Sequence, residues 1–211
     1  MRKLIMFLLA TIMIAPMYEV SAEGLSRAIK KEYKAKMKQF KTEKWELYGS
    51  ARTLEVTLSK YYEALDANPN VREIMGNANR FVSKTVGHQS AINDACRTYA
   101  QQCGSTVKGR IDSDIASDGE DVKSEFDHFY AAYERLVEKE IQGELQEKFS
   151  VIRQIDKEKG NPVYEMQTYF IVDEEAASLA RIRAYEQALK ESEAAQKMGT
   201  KIGEFVKAGF E

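Results

Sequence analysis

The side chains best suited to bind a metal or to pair as nucleophile and base are few in this chain. They are two histidines, His88 and His128, and two cysteines, Cys96 and Cys103. A zinc site needs its ligands clustered at short helical or loop spacing. The sequence offers no H-E-x-x-H, no histidine pair at i,i+4, and no His or Cys partner at ligand distance from either cysteine. His88 reads as preceding a helix and His128 as lying on the polar side of another. The cysteines stand seven residues apart in a helical pattern, about 10.5 Å along the axis. A disulfide needs Cα atoms closer than about 7 Å, so the two are expected as buried, reduced thiols. Asp112, Asp114, Asp118, Glu120 and Asp121 form an acidic cluster. An EF-hand loop needs oxygen ligands at positions 1, 3 and 5 and glycine at 6. Counted from Asp112, position 5 is Ala116 and Gly119 arrives at position 8, so the calcium pattern fails. No G-x-S-x-G, P-loop or G-x-G-x-x-G occurs. The expectation is therefore no catalytic residue, no cofactor and no metal ligand.

One set of residues could carry binding. Leu25, Ile29, Tyr33, Met37 and Phe40 recur at steps of three and four, the apolar face of an amphipathic helix over 25–44. Lys30, Lys34, Lys38 and Lys41 form a second stripe beside it. Between Glu23 and Tyr48 there are eight basic and four acidic residues. An anionic membrane face or an acidic partner would attract such a stripe, at about 1 kcal/mol per lysine near the surface. The whole chain points away from nucleic acid, because 31 basic against 33 acidic residues leave a net charge of −2.

The elements that must position these residues begin after a leader. Arg2 and Lys3 precede 14 uncharged residues, Leu4 to Met17, and Val20-Ser21-Ala22 supplies small residues for a cleavage site. That is the pattern of a secretory signal peptide, and its apolar run falls short of the roughly 20 residues that span a bilayer. Cleavage after Ala22 would leave 189 residues with a net charge of −3. No cysteine lies near that point to accept lipid. The expected location is a periplasm or outer envelope.

Residues 23–211 read as a single α+β domain, with N-terminal helices over 23–66 and a core over 71–211. A helix carrying Leu54, Leu58, Tyr61, Tyr62 and Leu65 ends at the turn Asn68-Pro69-Asn70. Val71 to Ala78 is a candidate strand. A long helix is expected over 90–115, on Ile92, Ala95, Cys96, Tyr99, Cys103, Val107, Ile111 and Ile115. Ser117 and Glu120 have capping-box spacing before a second long helix, from Val122 to Leu145. The period then changes to two. Val163 to Val172 alternates, with Tyr164, Met166, Thr168, Phe170 and Val172 on one face and Glu165 and Gln167 on the other. With Phe149 to Ile155 it makes a hairpin over 149–172, the loop falling at Asp156–Pro162. A lone hairpin is marginal in water, so a third strand or a partner chain should complete the sheet, and Val71–Ala78 is the candidate strand. One alanine-rich helix over 174–208, with Leu179 and Ile182 inward and Gly199 and Gly203 closely packed, ends the chain. The fold class is mostly helical α+β: long antiparallel helices packed on a small antiparallel sheet that contains a β-hairpin.

Gly76, then Ala91 and Ala95 on a helix, a Phe/Tyr-rich hairpin and an alanine-rich last helix occur in an order similar to a family of surface lipoproteins of about twenty kilodaltons. That resemblance implies a dodecin-like α+β fold. Phe126 to Glu140 and Tyr164 to Asp173 also resemble uncharacterised secreted proteins of Bacteroidetes. The resemblance covers 71–195. Two features depart from it: the missing lipid-accepting cysteine and the added helix 120–145. The family carries no catalytic residues across. The function expected is a non-enzymatic exported envelope protein acting through protein or surface contacts, self-association included. The alternative is a periplasmic binding protein for a small apolar or anionic ligand.

Overall fold

The computed structural model describes residues 26–114 and 120–209. In chain order its elements are α1 (Arg27–Thr42), β1 (Glu46–Tyr48), α2 (Leu54–Ala67), β2 (Val71–Phe81), α3 (Lys84–Asp114) and α4 (Glu120–Ile141). They are followed by β3 (Gln146–Glu158), β4 (Asn161–Asp173), α5 (Glu174–Ala188), α6 (Glu193–Lys197) and α7 (Gly199–Ala208). The protein is mostly helical α+β, with one four-stranded antiparallel sheet in the order β1-β3-β4-β2. The expected third strand is β2: it pairs with β4 from Val71↔Asp173 to Phe81↔Tyr164.

Local chemistry sets the boundaries. Ser26, Thr53 and Asp173 cap α1, α2 and α5, each side-chain oxygen accepting from an amide of the first turn. Lys159 and Gly160 both take positive φ, 50° and 87°, so β3 and β4 join through a two-residue turn. Mirror-image turns of this kind match the twist of the strands they connect. The hairpin is accordingly longer, and its loop shorter, than the polar run Asp156–Pro162 suggests.

Two helical layers sandwich the sheet. On one side Ile74, Phe170 and Val172 pack with α3, α4, α5 and α7 in the largest core, which includes Cys96 and Cys103. On the other side Phe149, Val151, Tyr169 and Ile171 pack with Met37, Phe40, Leu58, Tyr61 and Tyr62 of α1 and α2. Gly76 permits the close approach of β2 to α3, because a Cβ there would overlap the Ala91 carbonyl, and Ala95 follows one turn on. The Asn77 amide donates to Asp94 of the same helix (2.9 Å).

The structure corrects five expectations. First, α3 starts at Lys84, so His88 lies within a helix rather than before one. Second, β4 is buried on both faces: Tyr169 and Ile171 are as covered as Phe170 and Val172. Glu165 and Gln167 are only half-exposed, and Glu165 is paired with Arg153 (2.8 Å) instead of facing water alone. The second helical layer is the reason. Third, Leu145 lies beyond α4, in the turn before β3. Fourth, the last helix is broken. Leu189–Glu191 form a 3-10 turn, Ser192 becomes extended, and its hydroxyl accepts from Ala195 N (3.1 Å) to start α6. The chain then folds back, so that Gly199 and Gly203 pack against the Tyr185 ring. Fifth, α5 turns Ala177, Ala180, Arg181, Ala184 and Ala188 inward, which leaves Leu179 half-exposed on the outside.

Candidate functional site

The lysine stripe sits on α1, whose other side is anchored to the sheet. Met37 and Phe40 are buried there. Phe40 meets Phe149 and Tyr169 edge-on at 6.4 and 6.1 Å between ring centres, and Tyr33 meets Tyr62 at 6.2 Å. Burying such side chains contributes roughly 1.5–3 kcal/mol each, so the helix has a fixed orientation. Lys34, Lys38 and Lys41 therefore face water, joined by Arg27 and Lys31, while Lys30 is half-buried at the flank. The five exposed cations follow steps of four and three, a line about 21 Å long at 1.5 Å per residue.

The helix carries seven cations and a single acid, Glu32. Its net charge of +6 in a chain of net −2 leaves −8 for the remainder. Lys41 has a partner, Glu55 at 3.0 Å, in an exposed pair of little energetic weight. Lys30, Lys31, Lys34 and Lys38 have no ion pair among the described residues. Lys36 behaves differently. Its ammonium stands 5.4 Å from the Phe40 ring centre and 5.1 Å from that of Tyr169. Burial lowers its pKa, against the raising effect of Glu73 and Glu43. It belongs to the docked side, and its spacing four residues before Phe40 was the sign in the sequence.

A second polar site went unread in the sequence. Arg181, only 2% exposed, forms the floor of a cleft of about 410 Å³ between the ends of β2, β4 and α7 and the start of α5. Its guanidinium donates to Tyr99 Oη (2.6 Å), Glu174 Oε1 (2.7 Å) and the Val206 carbonyl (3.3 Å). Glu174 also pairs with Arg72 (3.5 Å). Burial opposes the Arg181 charge, yet Tyr99 and Glu174 hold its pKa above the usual value. Burial pushes the Tyr99 phenol up in turn, outweighing the arginine's pull. The network ties α3, α5 and α7 together. An arginine set among Ala177, Ala180 and Ala184 on an apolar stripe was the available signal.

A third cluster joins α3 to β3. His88 Nε2 lies 2.9 and 3.0 Å from the two oxygens of Glu147, and the Tyr48 ring packs beside it at 5.6 Å. Ser150 Oγ lies 2.8 Å from Glu147 Oε1 and 3.0 Å from Thr168 Oγ1. The residue types suggest a hydrolytic triad, but the order does not. The carboxylate stands between serine and histidine, so the imidazole has no contact with the hydroxyl whose proton it would take. Ser150 and Thr168 are also buried, at 1% and 0% exposure. The cluster fastens two elements.

The remaining candidates are placed as follows. His128 is exposed. Cys96 and Cys103 are buried and unbridged, and burial raises their thiols to about 11 and about 12, far from thiolate formation at neutral pH. Asp112 accepts from the Tyr130 hydroxyl (3.1 Å). Ser117, Asp118 and Gly119, together with the side chains of Asp114, Glu120 and Asp121, lie outside the described residues. No group of three His, Cys, Asp or Glu that could hold a metal exists among the described residues. No protein-family model matches the chain, and searches of curated proteins and of solved structures find no significant match.

Proposed function

We propose that this chain is a non-enzymatic exported envelope protein that works through contacts made by the basic face of α1. The observation that supports the reading most is the segregation of charge. Five exposed cations form one line on a helix whose apolar side is already occupied, in a chain that is otherwise acidic. With Glu32 as its single acid, the helix lacks the i,i+4 partners that would neutralise this row from within. The leader on 1–22, which lies outside the described residues, supports export, with the mature chain starting at Glu23. Among the described residues no helix is long and apolar enough to cross a membrane.

The alternative, a binding protein for a small apolar or anionic ligand, would use the Arg181 cleft. It is the weaker reading, because the donors of that guanidinium already meet protein acceptors. Fractionation of the protein, produced with its leader, tests the proposal. The wild type is expected to sediment with the envelope at low salt and to leave it at high salt. The triple variant Lys31→Gln, Lys34→Gln, Lys38→Gln is expected in the soluble fraction. Identical behaviour of the two proteins would overturn it.

A further inference from the structure

The outer face of α1 is specific enough to name the kind of partner. Protein interfaces are anchored by buried Trp, Tyr and Arg, and lysine is depleted from them. Every aromatic side chain of α1 is spent on the inner side: Tyr33 on Tyr62, and Phe40 on Phe149 and Tyr169. The outer face holds Lys31, Lys34 and Lys38 with only Ala28 and Ala35 as apolar neighbours, so it has nothing to fill a pocket on another protein.

Six of the seven cations on α1 are lysines. An ammonium is a mobile point charge without the two-pronged geometry that arginine offers to one fixed carboxylate. A row of point charges suits a dense layer of anions that can rearrange beneath it. The row is straight and lies on a helix clamped along its length, so all its charges can approach one plane together. Peripheral helices that insert in a bilayer present Trp, Phe or Leu outward, and this one does not.

We infer that the partner of the α1 face is the phosphate-bearing surface of an anionic lipid membrane, held electrostatically and without insertion. The inference rests on the contact role proposed above. Binding is therefore released by salt, since charges beyond the Debye length of about 8 Å are screened at physiological ionic strength.

Co-sedimentation of the mature chain with lipid vesicles tests it. The wild type is expected to bind vesicles of phosphatidylglycerol mixed with phosphatidylcholine at low salt, and to ignore pure phosphatidylcholine. Lys31→Gln, Lys34→Gln, Lys38→Gln should weaken partitioning by about a hundredfold, from about 1 kcal/mol per lysine. A circular-dichroism melt that overlays the wild type shows that this variant is folded. Inorganic phosphate should displace the protein no better than chloride at equal ionic strength, and a stronger effect of phosphate would replace the membrane with a discrete phosphate site. A polyglutamate column separates the two levels of the argument. Retention there without vesicle binding would overturn the lipid partner and keep the contact role. Failure in both assays would overturn both.

Discussion

Two cationic regions of this molecule make opposite use of positive charge. Arg181 is a single guanidinium, almost wholly out of water, with donors committed to a phenol on α3, a carboxylate at the start of its own helix and a carbonyl of α7. The α1 row is five charges in water, of which only Lys41 has an ion-pair partner among the described residues. A buried charge persists only if protein groups replace its hydration, so the first region must be tied into the fold. An exposed lysine has no such requirement, and the second region is free to meet something else. Position relative to the core, not charge, separates a structural cation from one available for contact.

The largest expected effect comes from the buried region. Arg181→Ala would remove the donor that Tyr99, Glu174 and the Val206 carbonyl share, while Glu174 keeps Arg72. With about 1–3 kcal/mol for each buried acceptor left short, the loss should reach about 3–5 kcal/mol. A urea melt should show a loss comparable to the stability of a small domain. A loss below about 1 kcal/mol, the range of exposed pairs, would erase the contrast. Phe170→Ala supplies an apolar yardstick: it is 3% exposed and should cost about 3–5 kcal/mol by cavity formation.

Intermediate effects sharpen the comparison. Cys96 and Cys103, raised to about 11 and about 12, keep their protons in the folded state at pH values where an unfolded thiol has lost its own. The folded state binds more protons, so their contribution is fully present below about pH 8.5 and is lost as pH rises toward 12. A thiol reagent at neutral pH should find no reactive sulfhydryl in the native protein and two after denaturation. Slow loss of stability from mildly alkaline pH upward would accompany this in a pH series of melts. Glu165→Ala is expected to cost about 1 kcal/mol, the upper end for a partly exposed pair, because Arg153 loses one of its two carboxylates.

The smallest effect on stability belongs to the exposed row. Lys31→Gln, Lys34→Gln and Lys38→Gln together should shift the urea midpoint by no more than about 0.5 kcal/mol, as ordinary surface changes do. A large destabilisation would mean that these lysines serve the fold, as Lys36 does.

Much of this architecture can be read from residue order. The apolar steps Ile29, Tyr33, Met37 and Phe40 locate α1 and turn its lysines outward, and the alternation over Tyr164–Val172 locates β4. Two kinds of feature could not be read that way. Tyr169 and Ile171 also fit an exposed face of a sheet, and only the return of α1 and α2 from a distant part of the chain buries them. The break at Ser192 is one residue whose hydroxyl supplies a cap, within a composition that favours helix throughout. Arg181 was hidden for a related reason. An arginine on a helix is ordinarily solvated, and what made it buried was α7 folding back so that the Val206 carbonyl could accept from it.

The covering of one sheet face by α1 and α2 also bears on the order in which the chain can fold. The apolar side of α1 has only α2 to dock on until β3 and β4 exist, and β1 has no partner until Ser150–Ile152 are present. A ribosome delivers the N-terminus first. The nascent segment must therefore carry the sheet-facing sides of Phe40 and Tyr61 uncovered while most of the protein is still to be made. The N-terminal layer is a late-closing one, and until it closes the sheet presents Phe149 and Tyr169 to whatever chaperone or protease is nearby.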